Sequence, residues 1–104
     1  MHKEFQMAFM NGMPQWTQEE AIAYECACEC MTDLMGIRLA EIREEEAKLY
    51  PDAERLASLE AEFSRLNQER KRLHVDSHAE VARINDEYGA VIRAWRAERQ
   101  AVFA

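Results

Sequence analysis

Apolar residues recur at three- and four-residue spacing from Gln18 to about Ala101, with one sharp interruption at Tyr50-Pro51-Asp52. Thr17 is followed by Gln18, Glu19 and Glu20, a capping box in which the threonine oxygen and the Glu20 carboxylate satisfy amide donors reciprocally. This start predicts a first helix over 17–49, about 48 Å long at 1.5 Å per residue. Between Ala21 and Ile37 its polar residues are confined to a narrow stripe, Glu25, Glu29, Thr32 and Asp33, and the remaining arc there is apolar. That arc is wider than one facing helix can cover, so two helices or a second molecule must pack against it.

At Tyr50-Pro51 the proline ring would clash with the carbonyl of Ala47 and has no amide to donate, so the helix stops or kinks there. Pro51 also suits the first turn of a second arm, expected over 51–103. Leu56, Leu59, Phe63, Leu66 and Leu73 form a coiled-coil-like seam on that arm, and Val81, Ile84, Tyr88, Val91, Trp95 and Val102 a later stripe. Between them the pattern weakens at His74-Val75-Asp76-Ser77, where Ser77 and Glu80 offer another capping box. A four-residue step through Leu73, Ser77 and Val81 joins the two stripes as a stutter.

The fold class is therefore all-α, with two architectures compatible with the pattern. One is an antiparallel helical hairpin with a long, gently bent second arm; the other is a three-helix coiled-coil-like bundle jointed near 74–77. The reading adopted from the sequence is the long arm. It would overhang the first helix and dimerise through the Trp95 region, giving one helical domain over 1–104. Residues 1–16 form an N-terminal arm in which Phe5, Met7 and Phe9 alternate before Asn11-Gly12 and Pro14. That arm is expected to fold over the first helix or to reach a partner chain.

Composition narrows the class further. Three glycines and two prolines are too few for the turns of an all-β domain. The net charge of −7 is uneven: residues 1–62 carry 14 acidic and 5 basic side chains, residues 63–104 carry 6 and 8. An acidic front half does not attract nucleic acid or anionic membrane, and the asymmetry favours antiparallel pairing. Cys26, Cys28 and Cys30 point about 200° apart at successive two-residue steps, which excludes a local disulfide and suits a reducing compartment. No stretch approaches ~20 apolar residues and the N-terminus lacks a signal-like core, so the expectation is a cytoplasmic protein with no membrane span.

Candidate chemistry is sparse. The cysteine spacing is not that of a zinc motif; a hairpin would bring His74 and His78 opposite Ala27 and Ala23, and only a site shared by Cys26, Cys30 and both histidines is conceivable. No glycine-rich phosphate loop or nucleophile elbow is present, so neither an enzyme nor a cofactor or small-molecule ligand is expected. Arg93, Arg96 and Arg99 flank Trp95 and are the candidate nucleic-acid contacts. Glu44, Glu45 and Asp52 make a candidate acidic tip, at some cost against the first helix's dipole. The candidate partner or dimer surface is Ile22, Met31, Leu34, Met35 and Ile42 with Tyr88, Val91 and Trp95, methionine being the most adaptable apolar contact.

The function expected from these features is that of a small interaction protein binding a larger protein partner. Adaptors, inhibitors and antitoxin-like factors that phages and plasmids direct at host systems are of this kind. The alternatives are a nucleic-acid-binding regulator using the arginine-bearing second arm and a structural coiled-coil component.

Overall fold

A computed structural model describes residues 16–103 of the chain. It contains three helices, α1 (Gln18–Glu46), α2 (Ala53–Arg72) and α3 (His78–Phe103). The expected arm over 1–16 lies outside the described residues except for Trp16, as does the side chain of Val102.

α1 begins at the capping box: the amide of Glu20 donates to Thr17 Oγ1 at 3.0 Å, and the amide of Thr17 donates to Glu20 Oε1 at 2.7 Å. It ends three residues before the expected 49. The tertiary cause is Glu45, which is 2% exposed. Its carboxylate accepts from the Asp52 amide at 2.9 Å and from Lys48 Nζ at 2.8 Å, and Arg55 Nε lies 3.3 Å away. This carboxylate draws both sides of the turn together, so the chain must leave the helix early enough to bend around it. Asp52 then caps α2 by accepting from the amides of Glu54 and Arg55.

α2 runs antiparallel to α1, with Arg38 Nε 2.9 Å from Glu62 and Arg70 donating to Thr32. The long second arm does not form. α2 stops at Arg72, Leu73 turns to extended backbone, and α3 starts at His78. The physical reason is burial: folding back at 73–77 lets Val81, Ile84, Tyr88 and Ile92 bury against the rest of the chain. Each such side chain contributes ~1.5–3 kcal/mol, far more than the few helical hydrogen bonds lost at the joint. α3 consequently runs parallel to α1, as the ascending pairs His78–Glu20, Asn85–Ala23, Arg96–Asp33 and Arg99–Glu44 record.

The wide apolar arc of α1 is thus covered by two helices of its own chain. Ala27, Met31, Leu34, Met35 and Ile37 meet Leu66 and Leu73 from one side and Val81, Ile84, Tyr88 and Ile92 from the other. On α3 the buried position is Ile92 (4% exposed) rather than the expected Val91 (39%). At 100° per residue both positions lie about 50° from the mean direction of Val81, Ile84, Tyr88 and Trp95, on opposite sides, so the period alone does not choose between them. Gly36 sits mid-helix on the exposed side of α1, where glycine costs ~1 kcal/mol relative to alanine. A Cβ there would meet nothing within 4 Å among the described residues.

Two measurements test this account. Leu66→Ala, which empties a fully buried position, is expected to cost ~2–5 kcal/mol in urea unfolding. Glu45→Gln is expected to lower stability at neutral pH. The hydrogen bonds from Lys48 and the Asp52 amide hold the folded Glu45 carboxyl below its ordinary value of 4.5. Its contribution is therefore full above about that pH and lost as pH falls through the folded value. The stability gap between the two proteins should close on acidification; a gap that persists at the acid end would contradict the charge-based role.

Candidate functional site

α2 and α3 both rest on α1 but approach no closer than 8 Å between Cα atoms. Between them, toward the joint, lies an open groove of about 630 Å³ that is walled by α2 and touched by α3 only at Glu80. Its α2 side presents the small residues Ala61 and Ser64 along with Arg65, Gln68 and Arg72, and Ser77 and Glu80 close the end at the joint. Small side chains occur here because α2 has its apolar seam, Leu59, Phe63 and Leu66, turned to α1, which leaves this flank facing solvent.

Side chains, not backbone packing, span the gap. Tyr88 is buried on α3 and its hydroxyl donates to Glu69 Oε1 at 2.7 Å, while Arg65 Nη1 donates to that hydroxyl at 3.3 Å. Arg83 lies 3.3 Å from Glu69, 3.0 Å from Glu80 and 3.1 Å from Glu87, with its guanidinium 5.4 Å from the Tyr88 ring centre. Hydrogen bonds to Glu80 and Tyr88 raise the pKa of Arg83, so it stays charged. Glu80 is correspondingly lowered by Arg83. The network is half-exposed and each pair contributes only ~0.5–1 kcal/mol, so it sets the separation of α2 and α3 more than it stabilises the fold.

The structure redistributes the residues singled out by sequence. Met31, Leu34, Met35, Ile42 and Tyr88 are buried within the single chain, and Trp95 is packed half-buried against the core. Those six are therefore core in this chain and not an open docking face. The cause is the joint at 73–77, which supplies the second covering helix. Ile22 and Val91 remain exposed.

The candidate nucleic-acid contacts are largely engaged at home. Arg96 lies 3.3 Å from Asp33 and Arg99 2.8 Å from Glu44, with the Arg99 guanidinium over the Trp95 ring at 4.5 Å. Arg93 makes no ion pair among the described residues. Arg70, Lys71 and Arg72 are exposed at the end of α2, without a carboxylate partner among the described residues. The acidic tip dissolves in the same way: Glu45 is buried in the turn, Asp52 caps α2 and Glu44 pairs with Arg99.

Cys26, Cys30, His74 and His78 do not assemble. His78 is paired with Glu20, and the Cys30 thiol faces Asn85 Oδ1 at 3.9 Å. Among the described residues no group of three or more histidine, cysteine, aspartate or glutamate side chains is placed to hold a metal ion. Burial raises the Cys30 pKa, with the nearby Asp33 carboxylate adding to the effect, which disfavours the thiolate. No helix of the described residues is long and apolar enough to cross a membrane.

Sequence reasoning missed Glu69, Arg83 and Asn85. Glu80 and Glu87 at three and four residues from Arg83 would have marked a charged helix surface. The reach of Arg83 to Glu69, and of the Asn85 amide to the Ala23 carbonyl at 3.1 Å, depends on how the helices pack and leaves no periodic trace. No protein-family model, curated protein or solved structure matches this chain.

Tyr88→Phe keeps the buried ring but removes the hydroxyl that ties α2 to α3. It is expected to cost about 1 kcal/mol, read as a fall of a few degrees in Tm. An unchanged Tm would mean that the bridge contributes nothing to holding the outer helices.

Proposed function

We propose that this chain acts by binding, as a small helical interaction protein that engages a larger protein partner in the manner of an adaptor, inhibitor or antitoxin. The groove between α2 and α3 is the observation that carries this reading. Two helices resting on a third and held apart by more than 8 Å leave the fourth position of a bundle vacant. The groove suits a partner helix: small residues, Ala61 and Ser64, allow close approach, and charges of both signs, Arg65, Arg72, Glu69 and Glu80, line the rim. Charged groups so placed favour a specific polar partner over a small apolar ligand. Three free cysteines suit a reducing compartment such as the cytoplasm.

Filling the groove tests the reading. Ala61 and Ser64 are exposed, so Ala61→Trp with Ser64→Trp should leave the fold and its Tm nearly unchanged. The unaltered tagged protein should retain a stoichiometric protein from nuclease-treated lysate of its source, and the filled variant should lose it. Retention of the same species by both proteins would place binding elsewhere. Retention that vanishes on nuclease treatment would move the function to Arg70, Lys71 and Arg72 and a nucleic-acid partner.

A further inference from the structure

We infer that the outward face of α1 pairs with the same face of a second copy of this chain, antiparallel, about a two-fold axis at Gly36. Positions 22, 25, 29, 32, 36, 39 and 43 lie along one face of α1, with Ile22, Gly36 and Leu39 its apolar or small members and Glu25, Glu29, Thr32 and Arg43 its polar ones. Every one of them is exposed. α1 turns its other side to α2 and α3, so this row has no cover from within the described residues.

Charge selects the antiparallel direction through Glu29 and Arg43, while Glu25 meets no cation at its own level. Glu29 and Arg43 stand seven residues to either side of Gly36, and neither makes an ion pair among the described residues. An antiparallel copy centred on Gly36 sets each Glu29 at the level of Arg43 of the partner subunit, twice over. A parallel copy would set Glu29 on Glu29 and Arg43 on Arg43, which repel.

Apolar surface falls under the same operation. Ile22, 52% exposed, lies fourteen residues from Gly36 and comes beside the other copy's 47–50 turn, where Leu49 (85%) and Tyr50 (86%) project. Leu39, 37% exposed, lies near the axis. Of the large apolar side chains left exposed among the described residues, only Val91 on α3 lies outside this pairing. At the axis itself Gly36 removes the side chain that would hold two helices apart, a role no contact among the described residues requires of it.

The pairing uses none of the groove residues between α2 and α3, so either inference can fail without the other. With a net charge of −7 on each copy, long-range repulsion keeps the dimer weak and concentration-dependent.

Sedimentation and light scattering over a concentration series into the hundred-micromolar range test the proposal. The native chain should move from 12.2 kDa toward twice that mass. Glu29→Arg alone and Arg43→Glu alone should each weaken self-association by roughly tenfold or more. Mixing these two variants should re-form a dimer, because one copy then carries two arginines and the other two glutamates at the paired levels. The double variant, with both charges exchanged in one chain, should regain the native behaviour. Both positions are exposed, and unchanged thermal melts of the variants would show that the fold is intact. A native chain that stays at single-chain mass throughout would overturn the proposal. So would a dimer indifferent to both single reversals, or a mixture that fails to re-associate.

Discussion

The apolar arc of α1 is too broad for one neighbour, and that width constrains everything else in the molecule. A single antiparallel helix covers only the side that meets Leu66 and Leu73, leaving the side that meets Ile84 and Ile92 open to water. The chain meets this demand by breaking after Arg72 and returning as α3. α2 and α3 therefore relate to α1, and hardly to each other. The vacant position between them follows from packing two helices on one, with no need for any residue to be placed there for the purpose.

Charged residues have a different part. Arg83, Arg65, Glu69 and the Tyr88 hydroxyl connect helices whose backbones stay apart, and Glu45 closes the turn between α1 and α2. Apolar burial is worth several-fold more per side chain than these partly wet contacts. The polar ties act on geometry. They choose one separation and one azimuth for helices that hydrophobic contact alone would let slide.

Much of the fold was legible in residue order. Thr17 and Glu20 marked the start of α1, Pro51 the turn, and the extent of the arc the need for two covering surfaces. The joint was not decidable locally, because Leu73, Ser77 and Val81 continue a stutter as well as they flank a break. The uncovered half of α1 settles it, and that is a tertiary quantity. Val91 and Ile92 differ by one position on the edge of a stripe, where periodicity resolves least. Glu45 was misread for a related reason. Three consecutive glutamates at a helix end look like one charged cluster, yet the 100° turn per residue sends only one of them inward. Of the candidate site, the individual charges were visible but the groove was not, since it exists only once α2 and α3 are both in place.

The parallel placement of α3 also orders events in time. α1 and α2 are joined by a short turn and meet near neighbours first, so their hairpin closes over modest loop lengths. α3 can pack only on a hairpin already formed, because Asn85 must meet Ala23, 62 positions away in sequence. A chain caught between these steps, newly synthesised or locally unfolded, displays half of its arc as a continuous sticky strip. The five residues at 73–77 thus govern how long that strip stays open, and with it the chain's exposure to aggregation and proteolysis.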